Sequence, residues 1–300
     1  MAGADIDTFQ ARRGHLLALA YQMLGELAAA EDIVQEAWLR WSQADRAEIR
    51  SPDAWLTSVV TRLSIDQLRS ARRRRETYTG TWLPEPILEA DAGQEPPELL
   101  DVARRCELAL LWTLERLDED ERAAFLLRQV FDTGYDELAR VLDRSEAACR
   151  QLVSRATRRV KDGAPRYTRS ADQLEDTMVR FAAAAAAGDK QTVLEMLAPD
   201  VVAVSDGGGV VKAALIPLEG PERVAQVITH IASKAQRESG WGDAPPVIRQ
   251  ANNLPAFVAM EGTENDMILT LRLNDEGLIS WIYTLRNPVK LAAVGGAAGG

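Results

Sequence analysis

The chain has 300 residues, 45 acidic against 35 basic, for a formal net charge of −10. That length predicts two or three domains, each with its own core. The two cysteines, Cys106 and Cys149, lie far apart within helix-like patterns, which suggests neither a disulfide framework nor a metal knuckle, and no apolar run reaches the about 18 residues of a membrane span.

A soluble cytoplasmic protein is expected, with no metal, no cofactor and no membrane contact. The mean charge argues against nucleic acid, but it hides blocks of opposite sign. Arg62, Arg69 and the run Arg72 to Arg75 form one basic patch; Arg140, Arg144, Arg150, Arg155, Arg158, Arg159 and Lys161 form another. Residues 81–101 between them carry Glu85, Glu89, Asp91, Glu95, Glu98 and Asp101 and no base, and the chain is acidic again after about residue 172.

From Phe9 to Arg75 apolar residues recur at helical spacing: Leu16, Leu17, Ala20 and Leu24, then Val34, Ala37, Trp38 and Trp41, then Leu56, Val60 and Leu63. Ser51-Pro52 supplies an N-cap and a proline at the first helical position, so a helix starts there and runs into the arginines. "GTWLPEPILEADAGQEPPE", residues 80–98, cannot continue it and reads as a linker. Trp82, Leu83, Ile87 and Leu88 are poor choices for a solvated tether, which predicts that part of it docks.

Helical periodicity resumes near Leu99, with Leu108, Leu111, Trp112 and Leu114. Asp118 and Glu121 make a capping-box pair. "YDELARVLDRSEAACRQLVSRATRRVK", residues 135–161, reads as a short helix, a turn at Asp143-Arg144, a Ser145 N-cap and a longer basic helix. Leu138, Ala139, Leu142, Cys149, Leu152 and Val153 form its inner face, the pattern of a helix-turn-helix with arginines outward. "GAPRY", residues 163–167, marks a second boundary.

Beyond it come an alanine-rich helix ending at Gly188, a shorter helix with Val193, Met196 and Leu197, and a helix near 221–235. Strand-like runs occupy 201–205, 210–216, 246–251, 256–261, 266–273 and 278–286. This is an α+β domain with a mostly antiparallel sheet. "SDGGG", at 205–209, lies between two of those runs. It is therefore a hairpin turn rather than a phosphate loop, which needs a following helix with lysine and hydroxyl.

Three stretches together, "AEDIVQEAWLRW", "WLTSVVTRLSIDQLRSARRRRE" and residues 135–161, resemble regions 2 and 4 of bacterial RNA polymerase sigma factors of the extracytoplasmic-function (ECF) type. "WLPEP", "DGGG", "NLPAFV" and "RNPVKL" are similar to members with a fused C-terminal SnoaL-like domain, the sigma J type. The resemblance implies a multi-domain chain: two all-α sigma domains, a region 2 bundle at 1–79 and a region 4 helix-turn-helix at 101–163, joined by a linker at 80–100. An α+β NTF2-like cone domain at 172–291 and a flexible tail at 292–300 follow.

The implied function is an alternative sigma factor, not an enzyme, regulated in cis by the C-terminal domain. Implied partners are promoter DNA and the polymerase core, through its β′ clamp helices and β flap. Asp32, Gln35 and Glu36 would bind the clamp helices. Arg50, Arg62, Asp66 and Arg69 would engage the −10 element, and Ser145, Arg150, Gln151, Ser154, Arg155 and Arg158 the −35 element. Trp82, Leu83, Pro84, Asp206, Gly207, Gly208, Gly209, Asn287 and Pro288 would make regulatory contacts, the glycines giving bare backbone to the linker or to a neighbouring helical domain. The chain departs from the family at Asp143, often glycine; near Arg62, often asparagine; at Lys212, displaced from the glycines; and at Val289, where an acid is frequent.

Rival readings are a cone-fold enzyme or a ligand sensor fused to a helix-turn-helix regulator. His230, Asp206 and Asp266 are the candidate bases for the enzyme. Trp241 and Tyr283 are the candidate lining of a small-ligand pocket.

Overall fold

A computed structural model describes residues 2–75, 78–89, 97–163, 171–239, 247–260 and 266–297. The chain divides into two compact units, Met1–Thr77 with Ala92–Ala164, and Tyr78–Asp91 with Pro165–Gly300. Trp241, linker residues 90–96 and residues 164–167 of the expected second boundary lie outside the described residues.

The first unit is helical. α1 (Ala2–Leu24), α2 (Leu27–Gln43) and α3 (Pro52–Arg75) pack through Leu16, Leu17, Leu24, Val34, Ala37, Trp41, Leu56 and Val60, all buried. Trp38 is only half-buried, its ring 5.0 Å from that of Phe9. Ser51 caps α3, its Oγ accepting from Ala54 N at 3.3 Å.

The same unit continues with α4 (Pro97–Arg105), α5 (Leu108–Leu114), α6 (Glu119–Phe125), a π-helical turn (Leu126–Val130), α7 (Tyr135–Leu142) and α8 (Glu146–Gly163). Half of the capping box forms: Asp118 Oδ1 accepts from Glu121 N at 2.7 Å. Between α7 and α8, Asp143 adopts the left-handed conformation (φ 53°, ψ 52°) in place of glycine, and Arg144 N donates to Ala139 O at 3.0 Å, which closes the helix in a Schellman motif. Val141 is buried on the inner face, whereas Ala139 and Leu142 are half-buried. Burial pushes the Cys149 thiol pKa up, which makes it an inert core group.

The second unit contains α9 (Ala171–Ala187), α10 (Lys190–Met196), β1 (Leu197–Asp206), β2 (Leu218–Glu219), α11 (Pro221–Ser239), β3 (Val247–Ala251), β4 (Leu254–Ala259), β5 (Met267–Leu273), β6 (Ile279–Leu285) and α12 (Pro288–Ala297). The six-stranded sheet has the order β2-β1-β6-β5-β4-β3. Its neighbours are antiparallel except β1 and β6, which run parallel. The core includes Met178, Phe181, Val224, Leu271 and Ile282.

Residues 210–216 were expected as a strand, and they are not one. Val210 N and Val211 N donate to Gly207 O at 3.0 and 3.1 Å, and Ala214 N donates to the Ser205 hydroxyl at 2.9 Å, so these amides are satisfied without a ladder. The glycines therefore form a turn at the end of β1, not a hairpin. α12 continues through Ala297, into the stretch expected as a tail.

Candidate functional site: a basic helical face and a linker clasp

On α2 the buried set Ala30, Ile33, Val34, Ala37 and Trp41 turns Asp32 and Gln35 to solvent, with Glu36 half-buried and bonded to Arg40 Nε at 2.9 Å. Arg50, after the 3₁₀ turn Arg46–Glu48, is exposed. On α8 Gln151, Ser154 and Arg158 face solvent, and Ser145 Oγ caps the helix by accepting from Ala148 N at 3.2 Å. Arg150 pairs with Glu146 at 2.7 Å and lies 4.8 Å from the centre of the Tyr135 ring.

The other expected DNA-contacting arginines are already engaged. Arg62 of α3 donates from Nε to Val141 O at 3.0 Å and from Nη2 to Arg140 O at 2.8 Å. These are C-terminal carbonyls of α7, the end of a helix that attracts a cation. Arg69 reaches Asp120 at 3.2 Å and lies 3.7 Å from Asp66. Asp120 also bonds Arg144, whose pKa it raises further above the usual arginine value. Glu121, buried beside it, accepts from Arg155 Nε at 3.2 Å and from Arg159. Two carboxylates at the start of α6 thus hold four arginines. From its local sequence Glu121 reads only as a cap partner; its placement before a basic helix was the available signal.

Deeper contacts join the same helices. Arg122 is buried, donates to Met23 O at 2.6 Å and to Leu114 O at 2.7 Å, and pairs with Glu115 at 2.7 Å. Gln22 Nε2 donates to Cys106 Sγ at 3.1 Å.

In the second unit, residues 78–89 lie along the α+β domain and are held at one carboxylate. Asp206 ends β1 with its side chain fully buried. Its Oδ1 accepts from Tyr78 OH at 2.5 Å and Gly208 N at 2.9 Å; its Oδ2 accepts from Leu83 N at 3.1 Å and Lys290 Nζ at 2.8 Å. Lys290, from α12, also donates to Leu83 O and lies 4.0 Å from the centre of the Trp82 ring. Asn287 donates to Tyr78 OH at 2.8 Å and caps α12 through Val289 N at 3.0 Å.

Further along, Tyr283 OH donates to Pro84 O, Asn252 Oδ1 accepts from Ile87 N at 2.8 Å, Asn252 N donates to Ile87 O at 3.0 Å, and Leu88 bridges to Ala251 in antiparallel fashion. Leu83, Ile87 and Leu88 are buried, the docking that their apolar character predicts.

The glycines are required by this geometry. Gly208 (φ +65°) would place a Cβ 2.6 Å from the Asn287 amide, and Gly209 (φ +72°) would place one 2.9 Å from Thr79 Cβ. A Cβ on Gly207 would meet Val211 O. Trp82, Leu83, Pro84, Asp206, Gly208, Gly209 and Asn287 are thus brought together, whereas Pro288 is exposed and opens α12. Tyr78, Lys290 and Asn252 were missed. An aspartate closing the apolar run "VVAVSD" needs a buried cation, and "RNPVKL" contains it.

Asp206 is saturated with donors and is no base in a pocket, and His230 is exposed on α11. Tyr283 is fully buried and turned toward the linker. Among the described residues it does not line the domain's apolar cavity, whose walls include Phe181, Ile228, Phe257 and Ile282. No group of three or more His, Cys, Asp or Glu able to hold a metal, and no helix long and apolar enough to cross a membrane, occurs among the described residues.

The helical bundle, the helix-turn-helix and their basic faces define a sigma-70 type initiation factor: residues 8–74 match Sigma-70 region 2 and residues 107–160 match Sigma-70, region 4. The chain is 43% identical over 231 residues to the ECF RNA polymerase sigma factor SigJ of Mycobacterium tuberculosis, covering 77% of this chain and 74% of the relative. It is 32% identical over 305 residues to the probable ECF sigma factor SigI of that organism, covering 97% and 96%. The crystal structure of M. tuberculosis SigJ superposes with a TM-score of 0.75 at 35% identity, over 96% of this chain and 98% of that one. The chain belongs to the ECF family of RNA polymerase sigma factors, non-enzymatic subunits that bind core polymerase and promoter DNA to initiate transcription at alternative promoters.

Proposed function

We propose that the chain is a sigma factor restrained in cis, and that the C-terminal domain restrains it by gripping the linker between regions 2 and 4. The observation that carries this reading is Asp206, whose four donors include the Tyr78 hydroxyl and the Leu83 amide of that linker. The contact of regions 2 and 4 supports it. By their numbering the −10 and −35 elements are separated by about 25 base pairs, about 85 Å at about 3.4 Å per pair. Regions held together by Arg62 on α7 and Arg69 on Asp120 cannot reach both.

Core polymerase would open this state by binding Asp32, Gln35 and Glu36 through its β′ clamp helices and region 4 through its β flap. Opening would free Arg62 and Arg69, which with Arg50 and Asp66 would engage the −10 element. Arg155 would be freed from Glu121 to read the −35 element with Ser145, Arg150, Gln151, Ser154 and Arg158. Glu121 and Asp120 occupy arginines as phosphates would.

Run-off transcription with core polymerase tests the reading by comparing the full chain with one ending after residue 168. The shorter chain is expected to bind core more tightly and to give more transcript at equal concentration. Unchanged affinity and unchanged transcript would refute regulation by the C-terminal domain.

A further inference from the structure

The sheet of the second unit separates two sites. Side chains alternate along β6: Tyr283 points to the linker, while Ile282 and Thr284, and Arg286 just past the strand, line the apolar cavity. Along β1, Asp206 belongs to the clasp, while Ala203, Val204 and Ser205 line the cavity.

The cavity has a volume of about 120 Å³. A dry apolar cavity of about 150 Å³ takes up benzene, so this one suits a ring or a branched alkyl group. No carboxylate lines it among the described residues, and its charged lining residues are Lys212 and Arg286. We infer that it is a binding site for a small apolar carboxylic acid, body inside and carboxylate toward Lys212 and Arg286, and that occupancy strengthens the linker clasp.

The coupling, which rests on the restraint proposed above, runs through one loop. Lys212, Ala213 and Ala214 line the cavity and continue from the glycine turn that meets Asn287 and Thr79. Arg286 ties cavity to clasp: its guanidinium donates to Lys212 O, and its backbone N donates to Asp206 O at 2.8 Å. A ligand that needs this loop in place binds the clasped form preferentially. By linkage it shifts the chain toward that form.

Isothermal titration of the full chain with phenylacetate and 4-methylpentanoate tests the site, with phenethylamine as the cationic control. At least one acid is expected to bind saturably, with phenethylamine about tenfold weaker or more. Ala182→Phe on α9, which fills the cavity, should weaken acid binding to a similar extent while circular dichroism stays native; Ile228→Trp serves if that variant does not fold. Amide hydrogen exchange at Leu83 and Gly208 should slow by about threefold or more at saturating acid.

Absence of saturable binding by both acids, phenethylamine binding as tightly as the acids, or equal binding to the filled variant would overturn the site. Binding without slower exchange would overturn the coupling. Neither readout involves transcription, so failure of the site and failure of the restraint are distinguishable.

Discussion

The two units hold charges in different ways. In the first, Arg69 and Arg144 meet Asp120 while Arg155 and Arg159 meet the buried Glu121, with arginine side chains 47–54% exposed. In the second, Asp206 and Lys290 meet at 0% and 7% exposure. The contacts of exposed Arg69 and Arg144 with Asp120 are each worth about 0–1 kcal/mol and are screened by salt. Breaking a pair of the second kind by removing one partner costs about 3–5 kcal/mol, because an uncompensated charge remains buried. The exposed arginines on Asp120 are thus held loosely, whereas buried Arg122 and the clasp are built to hold.

The largest expected effect lies on the clasp side. Asp206→Leu leaves Lys290 without its buried carboxylate and should destabilise the second unit by about 3–5 kcal/mol in urea titration. Gly208→Asp comes next, since its Cβ would collide with Asn287 at a left-handed backbone position. It should cost about 1–3 kcal/mol and speed amide exchange at Leu83. Trp82→Ala removes the ring beside the Lys290 ammonium and should cost about 1–2 kcal/mol of linker docking, read from the same amide.

On the other side, raising ionic strength from about 0.05 to about 0.5 M shortens the Debye length several-fold. Fluorescence energy transfer between labels on α3 and α8 should fall, while Leu83 exchange stays constant. Equal salt sensitivity of the two readouts would erase the contrast. The smallest effect is expected from Asp120→Asn, about 1 kcal/mol or less for each of its contacts with exposed Arg69 and Arg144, seen as a shallower salt dependence of that energy transfer.

Much of this was legible in the sequence because it depends on local chemistry. Ser51-Pro52, Asp118, Ser145 and the tolerant Asp143 mark helix boundaries through caps and turns that short segments specify. The docking of "WLPEP" was legible from apolar residues that a solvated linker does not need. Residues 210–216 misled, because an apolar run beside a strand suggests a ladder when its amides are satisfied by Gly207 O and Ser205 Oγ. Lys290 and Tyr78 were hidden for another reason. Their partner Asp206 lies 84 and 128 positions away, a separation that no local pattern encodes. Likewise, the family resemblance implied DNA contacts for Arg62 and Arg69, and their partners in the free chain, on α6 and α7, are equally distant in sequence.

The central claim, that gripping the linker restrains initiation, is tested most directly by the double variant Asp206→Leu with Lys290→Met, which leaves neither charge behind. Amide exchange at Leu83 and run-off transcription with core polymerase are measured on the same preparation. The account predicts faster exchange at Leu83 together with more transcript than the unmodified chain gives. Faster exchange with unchanged or reduced transcript would contradict it.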